Sequence, residues 1–307
     1  MNIGINTDFL SDSHEPEYYL KLIAESGFTN LHWCHQWNSD FIYSKSETAY
    51  YKNVIKNYGL TLQDIHASVG QEKCYFSLEE YRRKAGMELI LNRIEMFAEL
   101  EGTGALALHV PTYRHVYGVT EEYFKKIPAF VAQVRRTLDE LMPYLEKYNC
   151  AIAIENMPNE AFEVIEELMN NYPAERLGIT YDSGHGNYGF CRGTEYLDQW
   201  KHRLKVLHLN DNDGTLDRHQ PPFYGTVNWE KLAKILAESA LTGLPLSFEL
   251  SMKHTPFYNP AHGIHQPETD IRKFLADAFE RCSNVDKLYR ESLASRAETA
   301  NSVRNTR

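Results

Sequence analysis

Cysteine is scarce and unpatterned in this chain: five residues in 307 (Cys34, Cys74, Cys150, Cys191, Cys282), none in a C-x-x-C pair. An odd, scattered set argues against a disulfide framework and suits a reducing compartment. Long hydrophobic runs are missing too. Nothing approaches the roughly 20 apolar residues of a membrane span, and the opening MNIGINTDFL has neither a basic n-region nor a long apolar stretch, so a cleaved signal peptide is not expected. The reading is a cytoplasmic protein with no membrane partner. Positive charge is also short, with Lys+Arg 32 against Asp+Glu 42 and a net charge of -10. An acidic surface repels phosphate backbones at long range and disfavours nucleic acid as a partner. Finally, no G-x-G-x-x-G or Walker sequence follows a strand, and no G-x-S-x-G or H-E-x-x-H occurs. Those absences set aside the commonest dinucleotide and P-loop sites, serine hydrolases and classical zinc proteases.

What the chain does have is a rhythm. Short runs rich in β-formers recur at 2–6, 29–33, 60–66, 105–110, 150–156, 177–182, 204–210 and 244–250, each followed by a longer amphipathic stretch. In one such stretch Phe130, Val134, Leu138 and Leu141 mark one face of a helix. Gly27, Gly59 and Gly102 stand where left-handed helix C-caps are expected. Eight strands alternating with helices predict an α/β fold, either a doubly wound sheet or a closed (β/α)₈ barrel. The barrel is favoured, because ionisable residues stand at the C-terminal end of nearly every strand, where barrel active sites are built. No boundary or linker divides the chain. The expectation is one domain over 1–290 and a polar tail, 291–307, fraying at the surface.

Six of those strand-end residues are His66, His109, Glu155, Asp182, His208 and Glu249. Any one alone would more often be a helix cap or a surface ion pair. Six on one rim are different, since crowded carboxylates repel one another and a bound cation removes that repulsion. Mixed imidazole and carboxylate ligands suit a divalent metal: Mn²⁺, Co²⁺, Mg²⁺ or Zn²⁺. His185 follows Asp182 within a glycine-flanked turn, and Asp217 and His219 form a D-x-H pair beyond His208. The spacing places both on one side of an extended segment.

The segments IAIEN, YDSGH, VLHLNDNDGTLDRHQPP with YGTVNW, and LSFEL, in this order on consecutive strands, resemble the xylose isomerase-like barrel superfamily over most of the chain. That superfamily holds sugar-phosphate isomerases, ketose 3-epimerases, inosose dehydratases and endonuclease IV. Its isomerase and epimerase branch implies one ion on Glu155, Asp182, His208 and Glu249. Glu155 and Glu249 then also form the acid/base pair, moving a proton through an enediolate that the cation stabilises. His185 would bind a substrate hydroxyl or orient a ligand. The substrate implied is a small polyhydroxylated molecule, phosphorylated or not, and a homo-oligomer is compatible with the reading. The endonuclease IV branch instead implies three zinc ions on His66, His109, Glu155, Asp182, His185, His208, Asp217, His219 and Glu249. All nine residue types are present, so a multi-zinc phosphodiesterase is the alternative. The loops HASVGQEKCYF and IENMPNEAF do not resemble that branch, and Phe223-Tyr224-Gly225 stands where the superfamily often has Gly-Glu-Gly.

Around this set, Trp33, His35 and Trp37 could wall a sugar pocket after strand two. Arg114, after strand four, could anchor a phosphate or carboxylate. His254, His262 and His265 lie after strand eight and read as loop features.

Overall fold

The computed structural model describes residues 2–10, 15–111, 121–158, 162–188 and 193–305. All eight expected strands are present: β1 Ile3–Asn6, β2 Asn30–Trp33, β3 Thr61–His66, β4 Leu106–Leu108, β5 Ile152–Glu155, β6 Leu177–Asp182, β7 Leu204–His208 and β8 Leu246–Phe248. Each pairs in parallel with its sequence neighbour from β1 to β7, and β8 pairs with β1. The remaining seam is closed by backbone bonds from Leu209 to Ser247 (3.0 Å) and from Glu249 to Leu209 (3.0 Å). The sheet is a (β/α)₈ barrel.

Among the described residues the helices are α1 Pro16–Glu25, α2 Lys45–Asn57, α3 Glu80–Glu99, α4 Glu121–Lys147, α5 Glu163–Asn171, α6 Ser183–Gly186, α7 Gly193–Trp200, α8 Trp229–Ala237 and α9 Glu268–Asn305. Local chemistry sets several of their ends. Ser44 and Glu47 form a reciprocal capping box at the start of α2. In α4, Val134, Leu138 and Leu141 are fully buried, the face that their spacing predicts, and Phe130 is half-buried. Gly27 and Gly59 do take positive φ. At the third site the left-handed residue is Glu101, and a Cβ on Gly102 would lie 2.1 Å from the Phe97 ring. Glycine is needed there for close packing rather than for its φ. The polar segment from Glu291 is not a separate tail. It continues α9, because Glu, Leu, Ala and Arg are good helix formers and nothing in the segment stops the helix.

Inside the barrel the lower lining is small: Ala105, Ala107, Ala151, Ala153 and Val206 form their own cluster. The larger apolar side chains point outward and pack against the helices. Two irregularities matter for the site. Between β2 and β3 the register slips, so that Leu31 pairs Leu62 but His32 pairs Asp64. A second slip, between Ile179 and Thr180, occurs where β6 meets β7. Such bulges re-aim the side chains that follow them.

Candidate metal centre

The C-terminal ends of the strands bring the expected ligands together. His208 Nδ1 lies 3.0 Å from Glu155 Oε2 and 3.1 Å from Glu249 Oε2. One ligand atom from each of Glu155, Asp182, His208 and Glu249 falls within 4.8 Å of the others. The outer set is gathered as well. His66, His109 and Glu155 form one group, with His66 Nε2 3.3 Å from His109 Nε2 and His109 Nε2 3.2 Å from Glu155 Oε2. Asp182, His185 and His219 form another. Asp217 bridges the two histidines, 3.2 Å from His185 Nε2 and 3.0 Å from His219 Nε2. His219 itself has φ 48, so the D-x-H pair sits on a left-handed kink rather than a plain extended run.

A dry scaffold fixes Asp182. The Asn156 amide donates to the Asp182 carbonyl (2.9 Å) and accepts from the Asp182 N–H (2.8 Å), while Asn210 Nδ2 donates to Asp182 Oδ2 (2.8 Å). The other oxygen, Oδ1, accepts from the His185 N–H (2.7 Å) and caps α6. A Cβ on Gly184 would stand 1.9 Å from Asn210 Oδ1, so a side chain here would displace the amide that holds Asp182. Further out, Asp211 accepts from the backbone of Phe223 and Val227 and from Trp229 Nε1, tying down the loop that carries Asp217 and His219.

The electrostatics are those of a concentrated, buried set. Burial alone would raise Glu155, but the charges of His208 and His109 hold it well below the usual carboxylate range. Glu249 is held down in the same way by His208. Burial lifts Asp182 to about 6 against the pull of His185 and His219. Burial, reinforced by His109, pushes His66 down to about 3 despite Glu155. His66 is therefore neutral, the form in which imidazole ligates metal.

The residues fit a cation. Glu155 Oε2 and both ring nitrogens of His208 are buried without an aligned hydrogen-bond partner. Groups this close and this poorly aligned are costly when dry, and a shared positive ion supplies what they lack.

Other expected residues fall elsewhere. Trp33 is not a pocket wall: it is fully buried on the face of β2 opposite His32, with its ring against Tyr43 and Tyr51. Alternation along a strand sends neighbours to opposite faces, and the odd position here faces the helices. His35 turns its ring toward Trp33. Trp37 reaches the site instead, with its ring centroid 4.2 Å from that of His66. Its loop is held by Arg93, whose guanidinium donates to the carbonyls of Gln36 and Phe41. Arg114 lies outside the described residues. Two buried residues at the centre were absent from the strand-end reading: His32, 3.8 Å from Glu249 Oε1, and Asp64, in direct contact with His32 Nδ1. The signal for His32 was an imidazole inside an apolar run; nothing marked Asp64, because the bulge decides its direction. A cleft of about 330 Å³ opens over the centre, lined by Asn6, Asp8, Trp37, His219, Glu249 and Lys253 among others.

A parallel eightfold barrel with a mixed histidine and carboxylate cluster at its C-terminal rim defines a class, and comparison with known proteins defines the family. The chain belongs to the xylose isomerase-like TIM barrel family, whose model matches residues 20–282. It is 26% identical to an uncharacterized protein of Sinorhizobium fredii, over 86% of this chain and 91% of the relative. It is also 27% identical to a protein of Petrotoga mobilis named probable endonuclease 4, over 43% of this chain and 52% of that protein. Among solved structures it is similar to a D-tagatose 3-epimerase-like protein, with a TM-score of 0.66 at 21% identity, covering 91% of this chain and 99% of that one. No helix of the described residues is long and apolar enough to cross a membrane.

Proposed function

We propose that this protein is a divalent-metal-dependent isomerase or epimerase of a small polyhydroxylated substrate. The observation that carries the reading is the pairing of a four-ligand group with a small polar cleft. Two carboxylates converge on one imidazole from β5 and β8, beneath a cleft of about 330 Å³. That volume is at the low end of small-molecule sites. An aromatic face (Trp37), an amide (Asn6) and a carboxylate (Asp8) line it, as suits a ligand with alternating C–H and O–H surfaces.

A divalent ion on Glu155, Asp182, His208 and Glu249 would polarise a carbonyl or hydroxyl oxygen. The chain's own residues do the rest. Glu155 and Glu249 are ionised and can each take a carbon-bound proton, and entering from strands on different sides of the rim, they can serve opposite faces of a carbon. His185 has both ring nitrogens engaged, by the Asn156 carbonyl at 2.8 Å and by Asp217, so it orients the ligand set. Asp182, held by Asn156, Asn210 and the His185 N–H, would serve as a ligand only.

A second reading has its own observation. The groups His66–His109–Glu155 and Asp182–His185–His219 share Glu155 and Asp182 with the first, an arrangement able to hold further ions and to activate water against a phosphodiester. Metal content decides between them. One Mn²⁺ or Co²⁺ per chain, with deuterium exchange into a ketose, supports the isomerase; three Zn²⁺ per chain with nicking of abasic plasmid would overturn it.

A further inference from the structure

The mechanism above leaves one fully buried cluster idle. His32 on β2 and Asp64 on β3 are both sealed from solvent, and the Asp64 carboxylate touches His32 Nδ1. A carboxylate in contact with Nδ1 favours the tautomer that carries its proton there, which leaves the lone pair of the ring on Nε2. Neither ring nitrogen has an aligned hydrogen-bond partner, Nδ1 lying in contact with Asp64 and Nε2 facing Glu249 Oε1 at 3.8 Å. The ring centroid is 4.2 Å from that of His208, whose nitrogens also lack aligned partners. One ligand atom from each of His32, His208 and Glu249 falls within 4.8 Å of the other two. A carboxylate holding one nitrogen of an imidazole, so that the other points at a fixed spot, is how metal-binding histidines are oriented.

We propose that His32, His208 and Glu249 form an alternative, nitrogen-rich position for the cation of this centre. An ion that keeps His208 and Glu249 has two ways to complete its shell. With Glu155 and Asp182 it has one nitrogen and three carboxylates, a set that suits Mn²⁺ or Mg²⁺. With His32 it has two imidazoles and one carboxylate and keeps an open position, a set that suits Zn²⁺. Which ion is bound therefore decides where it sits. The bulge between β2 and β3 makes this possible, because it brings Asp64 into register behind His32. The inference rests on the metal-centre reading but not on isomerase activity.

The test is titration of the metal-free, full-length protein with Zn²⁺ and, separately, with Mn²⁺ against a competing chelator. Each zinc step is followed on its own, since the other histidine groups also offer sites. In His32→Gln one zinc step should weaken about 10–100-fold, while Mn²⁺ affinity stays within about threefold and the other zinc steps are unchanged. Asp64→Asn gives a second arm should His32→Gln fail to fold. An amide can donate to Nδ1 and turn the lone pair away from the site, so the same zinc step should weaken selectively. Equal losses for both metals would show that His32 only positions Glu249, and no loss for either would show it idle; both overturn the proposal. A wild-type protein that binds neither metal removes the functional reading with it. Intact Mn²⁺ binding with no zinc step that depends on His32 removes this inference alone.

Discussion

The same strands line two layers of one barrel, and the layers are chemically opposite. Ala107, Ala153, Thr180, Val206 and Ser247 face the lower interior, all buried and small. Two residues further along each strand stand His109, Glu155, Asp182, His208 and Glu249. A step of two residues is about 6.6 Å of strand, and over that distance the lining changes from tightly packed and neutral to ionisable. Below, side chains are limited by the bore of an eight-stranded barrel, so volume decides what is allowed. Above, the bore opens, and charge decides. The lower layer holds the barrel together; the upper one is stable only because its charges compensate one another or share a cation.

The comparison breaks most visibly if an upper residue is changed. Glu155→Gln should cut turnover by about 10²–10⁴-fold while leaving the far-ultraviolet circular dichroism unchanged, because the role proposed for Glu155 lies in the chemistry and not in the packing. Deuterium exchange into a ketose panel reads the loss, and wild-type exchange rates would remove Glu155 from the acid/base pair. The mirror experiment is Ala153→Leu, two residues below. Overpacking at this fully buried position should cost about 1–3 kcal/mol, read as a lower denaturant midpoint. Unchanged stability would mean the lower layer is looser than its burial indicates.

A pH series sharpens the contrast further. In the metal-free protein, burial would lower His219, but Asp217 outweighs it and carries the imidazole up to about 10. A raised histidine contributes stability that is complete below its ordinary value near 6.5 and is lost as pH climbs through 10. Metal-free stability should therefore fall across that window. The loaded protein should behave in the opposite sense, its metal affinity rising with pH because ligation requires neutral imidazole. Thermal unfolding with and without Mn²⁺ from pH 6 to pH 10 checks both signs; parallel curves would contradict them. The smallest effect is expected at the cleft wall. Trp37→Ala removes a face worth about 0.5–1.5 kcal/mol, so KM should rise severalfold with kcat within about twofold, and a fall in kcat alone would move Trp37 from substrate contact to support of His66.

Much of this architecture is readable in one dimension. Eight apolar runs with ionisable ends announced a barrel and its working rim, because strand period and strand direction are local properties. Glu155, Asp182, His208 and Glu249, the four residues proposed to hold the ion, follow from the same rule, each ending its strand or following it by one residue. Trp33 shows where the rule fails. It stands beside the rim in sequence, yet parity turns it into the helix layer, while Trp37, four residues later in a loop, comes back over His66. Asp64 shows the complementary failure. Alternation from Leu62 would already point it differently from how the bulge leaves it.

By itself, then, the sequence determined the fold class, the rim and the residue types available to a cation, since these follow from hydrophobic period and from which side chains end each strand. Only the tertiary structure decided which of them meet. It joined eight of the nine expected residues into overlapping groups through Glu155 and Asp182, with Asp217 bridging His185 and His219, and set His32 and Asp64 behind Glu249 beside a small cleft. Distances between strands that are far apart in sequence depend on barrel closure and on single-residue register slips, and neither leaves a mark in the local pattern.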